Sequence, residues 1–353
     1  MPKTKRPTQA DVACLAGVSR ATVSYVINGL ANTRIPISEE TRLRVLEAAR
    51  QLGYVPDANA RALRLGNTKA LGLIVPDIRN PHFWETVEGA WREARASGYH
   101  LLLSSMDLNA EYGKEVFEDL SHRRVDGLIL MGSFIEQSDE AKEITIQLRK
   151  QHLPIVEISD HFRENHADQV ISDYREATFE AMELLFSLGH RRIGLIYGVA
   201  RPDLALDRLH PYREALEVRG IEVDESLIVR CGPTMEDGYQ ATLSLMKEKD
   251  PPTAILVIND VLAIGALRAL ADLGLVVPQN ISLVSYDDIP QAKYLVPRLT
   301  TVSKNAVLLG QEATRLLLRR IQDPERPCEK VVLPSRLVVR ESAGPAPSRQ
   351  NSF

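Results

Sequence analysis

Apolar positions along the chain follow two different periods. Over residues 8–53 they recur in short groups: Val12 and Leu15, then Val23, Val26 and Ile27, then Leu43 and Leu46. Spacings of three and four residues fall on one stripe of a helix, so the pattern predicts three short helices with these residues facing inward. The first helix opens at Thr8, with Asp11 three positions later in a variant of the capping box. It stops at Gly17, where glycine accepts the left-handed angle of a tight turn. The second starts at Ser19, which caps it while Val18 and Val23 flank the start as a hydrophobic staple. The third begins at Ser38, carries Glu39 and Glu40 where the helix dipole favours anions, and ends at Gly53.

From Ala70 onward the pattern changes to continuous apolar runs separated by amphipathic stretches. The runs predict strands at Leu71–Val75, His100–Ser104, Gly127–Met131, Ile155–Ile158, Ile193–Tyr197, Ala254–Ile258 and Ser282–Ser285. Helical stretches between them include residues 83–97, 111–123, 174–188, 210–219, 236–248 and 260–273. Strands without polar alternation imply an α/β fold whose parallel sheets are covered on both faces. About 270 residues of this pattern suit two lobes better than one.

Composition adds a division that the patterning leaves open. The chain of 353 residues is 44% hydrophobic and 25% charged, an ordinary soluble composition. No run of eighteen apolar residues occurs, which argues against a membrane span. The basic N-terminus leads into no apolar core, so a secretory signal is not expected. Cys14, Cys231 and Cys328 form no paired spacing, which argues against a disulfide framework or a thiolate metal site and for a reduced, cytoplasmic chain. The net charge of −4 is uneven: residues 1–69 hold eleven Lys and Arg against five Asp and Glu, a net +6, and the remainder carries −10. A basic head on an acidic body suits a polyanion partner, although a merely solvated basic face explains the charge equally well.

The turn Ala16-Gly17-Val18 between the first two helices favours the polyanion. Two helices joined so tightly and followed by a third make a helix-turn-helix, whose second helix enters the DNA major groove N-terminus first. Ser19, Arg20, Ala21, Thr22, Ser24 and Tyr25 then lie nearest the bases. Arg20 suits guanine O6 and N7, Ala21 and Thr22 suit thymine methyls, and Ser24 and Asn28 suit phosphates. The run from Thr8 to Asn28, and that from Ser38 through Leu52-Gly-Tyr-Val-Pro56, resemble the DNA-binding head of LacI/GalR-family bacterial transcription regulators. The resemblance implies a head over residues 1–56 and a hinge over 57–69, with Ala62, Leu63 and Arg64 at DNA and Leu63 as a minor-groove wedge. Six residues make no stable helix alone, so the hinge is expected to fold only on operator DNA. A plain linker with Leu63 packed on the body is the alternative.

Residues 70–340 resemble the family's periplasmic-binding-protein-like effector and dimerisation domain, in two discontinuous lobes. The resemblance places the crossings between lobes near residues 160, 290 and 325. Ligands of such sheets bind beyond the carboxyl ends of strands. There the chain supplies Asp77, His82, Phe83, Ser159, Asp160, Arg208, Asn259 and Asp287. Carboxylates, an Arg, an Asn and aromatic faces suit a polyhydroxylated effector, a sugar or sugar derivative, with a nucleoside or purine second. Each also has a structural explanation: Arg208 with Asp287 as a salt bridge, Asn259 as a helix cap, Phe83 as core. Ser159 stands where many relatives carry Asp, and residues 231–238 lack an aromatic found in some of them.

Dinucleotide, P-loop, zinc-protease and nucleophile-elbow motifs are absent, so neither enzyme nor cofactor nor metal is expected. A periplasmic solute-binding protein is the other rival, opposed by the DNA-binding head. The expectation is a homodimeric, cytoplasmic, nucleoid-associated repressor on a pseudo-palindromic double-stranded DNA operator, with no membrane partner. Residues 341–353, rich in Ser, Pro and Ala, read as a flexible tail without the leucine heptads of a tetramer coil.

Overall fold

A computed structural model describes residues 7–27, 36–55, 67–107, 115–116, 119–120, 125–132, 153–160, 167–198 and 206–347. Contacts divide the chain into Met1–Thr68 and Lys69–Phe353. In the first unit, helices α1 (Gln9–Ala16), α2 (Arg20–Ile27) and α3 (Glu39–Leu52) enclose Val12, Val23, Val26, Val45, Ala48 and Ala49. Thr8 and Asp11 cap α1 reciprocally, and Gly17 ends it at φ 65°. Ser19 Oγ accepts the Thr22 amide at 3.1 Å and so starts α2.

Three leucines expected inward are not there. Leu15, Leu43 and Leu46 are 51%, 54% and 38% exposed. On α3 the buried stripe is Val45, Ala48, Ala49 and Leu52, at spacings of three, one and three. Leu43 and Leu46 stand off that stripe by the helical angle, and Leu15, Leu43, Arg44, Glu47 and Gln51 line a hollow of about 380 Å³. Small alanines suffice where three short helices approach closely.

The second unit contains two six-stranded sheets. One has the order β11-β5-β4-β3-β1-β2, from strands β1 (Ala70–Val75), β2 (His100–Ser105), β3 (Gly127–Met131), β4 (Ile155–Ser159), β5 (Asp168–Asp173) and β11 (Lys330–Pro334). The other has the order β12-β10-β9-β8-β6-β7, from β6 (Ile193–Gly198), β7 (Ile228–Cys231), β8 (Ala254–Val257), β9 (Ser282–Asp287), β10 (Thr300–Ser303) and β12 (Arg336–Val338). Among the described residues every pairing is parallel except β10 with β12. Alternate residues feed the two faces of the first sheet. Leu71, Leu73, Ile129 and Met131 join one core cluster, while Ile74, Leu128 and Leu130 join another.

Helices α4 (Trp84–Ala96) and α9 (Ala306–Gln322) cover the first sheet. Gly89 and Gly310 let them touch, since a Cβ on either would collide with the other helix's backbone at Val307 or Thr86. Helices α5 (Arg175–Ser187), α6 (Leu206–Val218), α7 (Met235–Leu245) and α8 (Asp260–Asp272) enclose the second core. Among the described residues no single helix is long and apolar enough to cross a membrane. Most of the helix expected over 111–123 lies outside the described residues.

The crossings between lobes are displaced from their expected positions. They fall at Tyr174, at Lys304-Asn305 and at Ser335, rather than near 160, 290 and 325. The cause is that β5, β10 and β11, unread in the sequence, each extend a sheet before the chain leaves it. Ser335 N donates to Asp173 O at 3.3 Å, tying two crossings together. The flexible tail from 341 is also corrected, for residues 341–347. Ser342 is fully buried, its Oγ accepts from Thr300 N at 2.8 Å, and Gly344 N donates to Ser282 Oγ at 3.0 Å. Backbone groups freed beside β9 and β10 need partners, and this segment supplies them.

Candidate functional site

Two surfaces gather the residues that the patterning pointed to. On the head, Ser19, Arg20 and Ala21 are exposed together at the start of α2, with Thr22, Ser24 and Tyr25 half-buried behind them. Thr8 caps the neighbouring helix and is exposed. Burying Val23 and Val26 against α1 and α3 fixes which face of α2 remains outward. Asn28, Ala62, Leu63 and Arg64 lie outside the described residues.

The body's site forms where strands of both sheets end. His82 stands in a short 3-10 turn after β1, started by Asn80, whose Oδ1 accepts the His82 amide at 3.0 Å. Asp160 follows β4, behind the buried Ser159, and Asp287 ends β9. His82 Nδ1 is 2.8 Å from Asp287 Oδ1, a close contact without a formed hydrogen bond. Arg208 of α6 reaches Asp160 at 3.2 Å, and its guanidinium lies 4.2 Å from the Tyr174 ring centre and 5.5 Å from that of Tyr286. Both contacts join one lobe to the other. Phe83 meets His82 edge-on at 4.8 Å and packs on the first lobe's core.

Electrostatics separates the acids. Burial raises the carboxyl of Asp287, but His82, Lys304 and Arg208 outweigh it, and Asp287 titrates below its ordinary range. Burial likewise opposes Arg208, Lys304 and His82 at Asp160, which also ends low. Asp260 goes the other way. Burial first, then the charge of Asp287, lifts it to about 8, although Ser285 Oγ, Thr301 Oγ1 and Ile289 N all donate to it. Asp287 and Asp288 sit at φ 105° and 53°, left-handed backbone outside glycine. Such strain persists where surrounding contacts enforce it, and here it turns the Asp287 carboxylate toward the other lobe. Among the described residues no group of three or more His, Cys, Asp or Glu is placed to hold a metal ion.

With this geometry in hand, similarity to known proteins is decisive. Residues 8–57 match the model of bacterial regulatory proteins, lacI family, and residues 182–343 match a periplasmic binding protein-like domain. The ribose operon repressor of Haemophilus influenzae is 35% identical over 336 residues, covering 95% of this chain and 98% of that one. The chain belongs to the LacI family.

Other relatives of this LacI-family regulator agree. The transcriptional repressor PurR of Proteus mirabilis is 36% identical over 341 residues, 96% of this chain and 98% of its own. The crystal structure of the Lac repressor dimer bound to operator and the anti-inducer ONPF superposes with TM-score 0.83 at 28% identity, covering 96% of this chain and all of that one. A LacI-family regulator of Enterococcus faecium with bound ribose gives TM-score 0.70 at 32% identity, covering 78% and 99%. The protein is thus a DNA-binding transcription regulator with an effector-binding body, working in the cytoplasm, and not an enzyme.

Of the residues named from sequence, His82, Asp160, Arg208 and Asp287 are brought together, Phe83 packs beside His82, and Ser159 is buried at the end of β4. Asn259 Oδ1 caps α8 through Leu262 N at 2.8 Å. Asp77, after β1, pairs with Arg79 at 2.8 Å. Sequence reasoning missed Tyr174 and Lys304, both at lobe crossings. The β-branched run Thr300-Thr-Val302 was the available signal for β10 and hence for Lys304.

Proposed function

We propose that this regulator represses transcription from a pseudo-palindromic operator and that an uncharged sugar or sugar derivative in the interlobe cleft sets its operator affinity. The observation that carries the effector class is the charge balance of the described cleft. Asp160 and Asp287 are ionised, Arg208 and Lys304 are cationic, and His82 is driven toward the neutral form by burial. A buried, balanced set of donors and acceptors accepts a polyol without leaving an uncompensated charge, whereas an anion or cation unbalances it. Similarity to a ribose operon repressor, to a ribose-bound regulator and to a regulator in complex with cellobiose supports the same class. A nucleoside or purine is the second candidate, on similarity to repressors named PurR.

On the head, Ser19, Arg20, Ala21 and Thr22 read bases with Tyr25 beside them, Ser24 and Asn28 position the phosphates, and Thr8 also lies at the DNA. Ala62, Leu63 and Arg64 act in the minor groove, where Leu63→Ala lowers operator affinity and bending more than nonspecific binding. Closure of the cleft on effector alters the spacing of paired hinges in the homodimer, and coupling between pocket and operator is reciprocal. The regulator is thereby held on the nucleoid. Operator binding measured against D-ribose, cellobiose and guanosine tests the class. A response to ribose or cellobiose that Asp287→Ala abolishes, with ligand-free operator binding intact, supports it. A response to guanosine alone replaces the sugar with the second candidate.

A further inference from the structure

Lys304 closes the path of β10 where the chain crosses into the first lobe, and only 3% of its surface is exposed. Asn305 behind it is left-handed, at φ 50° and ψ 57°. A non-glycine residue holds that backbone when its surroundings over-determine it. The sharp turn delivers the Lys304 ammonium onto Nε2 of His82. An ammonium offers only donors, so the nitrogen it meets must present a lone pair. Nε2 therefore carries no hydrogen, Nδ1 carries it, and Nδ1 is the atom 2.8 Å from Asp287 Oδ1.

We propose that Lys304 is a positioning residue of the effector site, fixing His82 as the neutral, Nδ1-protonated imidazole and thereby keeping Asp287 an acceptor for effector hydroxyls. This rests on the assignment of the cleft as the effector site. Among the described residues, three charged groups act on the ring and a fourth acts on its acidic neighbours. Asp287 faces it from β9, Lys304 from the crossing and Asp160 from the end of β4, while Arg208 of α6 stands behind both acids. On the ring's own element Phe83 contributes an uncharged edge. Burial lowers the His82 titration most, Asp287 and Asp160 oppose it, and Lys304 adds to the lowering. Without the ammonium, two carboxylates draw a proton onto His82 against burial alone. A protonated ring then pairs with Asp287 as a full ion pair and competes with effector hydroxyls for that carboxylate.

The test uses the full-length protein with histidine-selective isotope labelling. The Cε1–H signal of His82, assigned by its loss in His82→Gln, is titrated in wild type, Lys304→Met, Lys304→Gln and Lys304→Arg. His82 is expected to titrate about one pH unit higher in Lys304→Met and Lys304→Gln, and within a few tenths of wild type in Lys304→Arg. In parallel, D-ribose affinity of Lys304→Met is expected to fall about tenfold more than that of wild type on acidification from about pH 7 to 5.5. Unchanged His82 titration in Lys304→Met overturns the proposal. If that variant does not fold, unchanged titration in Lys304→Gln, which keeps length and polarity, overturns it equally. A shifted titration in a protein whose operator affinity no sugar affects supports the role of Lys304 and removes only the sugar.

Discussion

In the head, Ser19, Arg20 and Ala21 meet solvent on a helix of eight residues, whereas in the body Arg208, Asp287 and Lys304 are 6%, 7% and 3% exposed. The head's partner is a polyanion too large to be enclosed. Its proposed reading residues stand outward, and their positions are set by a few neighbours within the same short segment. The body's partner is small enough to be surrounded. Enclosing it means desolvating charges, which stay ionised only if opposite charges are brought from other strands. An exposed reader is therefore a local construction, and a buried sensor is a long-range one. Substitutions should divide accordingly: locally bounded losses in the head, and losses spread over several elements in the body.

The largest expected effect lies in the body, away from the cleft. Asp168 is almost fully buried at the start of β5, with Arg320 Nε at 2.9 Å and Arg326 Nη2 at 2.8 Å. Asp168→Ala strands two cations and should destabilise the body by about 3–5 kcal/mol in denaturant unfolding, while the head's melting is untouched. A loss under 1 kcal/mol would mean that the buried network is not what ties β5 to α9 and to the segment before β11. Next in size is Arg20→Ala, expected to cost about 1–3 kcal/mol of operator affinity and to relax specificity at one base position. Equal weakening on all sequences, measured by competition binding, would move Arg20 from base to phosphate.

Asp260 sharpens the contrast through pH. With its titration raised to about 8 by burial and by Asp287, the folded chain keeps a proton that the unfolded chain releases above the ordinary value of 3.8. The unfolded state then binds fewer protons, so stability falls as pH rises through that window and levels off above about 8. Asp260→Asn should flatten the melting temperature between about pH 5 and 8 and leave the head's profile unchanged. A mutant profile parallel to wild type would relocate the titration elsewhere. Smaller again, Thr8→Ala removes the reciprocal cap of α1 and should cost about 1 kcal/mol, confined to melting of the head. Smallest is Leu43→Ser, within about 0.5 kcal/mol because the side chain is 54% exposed. A loss of 2 kcal/mol would restore Leu43 to the core.

The head's elements were nearly all legible because their signals are contiguous. Thr8 with Asp11, Gly17, Ser19, Ser38 and Gly53 each act on a backbone group within a few residues. What the head concealed was rotational. Whether Leu43 or Val45 faces inward depends on how α3 meets α1, and propensity carries no such information. In the body, the central strands announced themselves as continuous apolar runs. The edge and crossing strands did not, since their buried positions are polar. Asp168 and Ser172 in β5, and Thr300 and Thr301 in β10, are buried because distant partners satisfy them.

By itself the sequence determined where helices begin and end in the head, the parallel character of the body, and a family whose motifs lie in one stretch of chain. The tertiary structure decided which strand completes each sheet, where the lobes exchange chain, and that Lys304 stands against His82. Hydrogen bonds within a turn connect residues three or four apart, so their logic survives in one dimension. The cleft joins residues from 82 to 304, whose charges are tolerable only in each other's presence, and that condition exists only once the chain is folded.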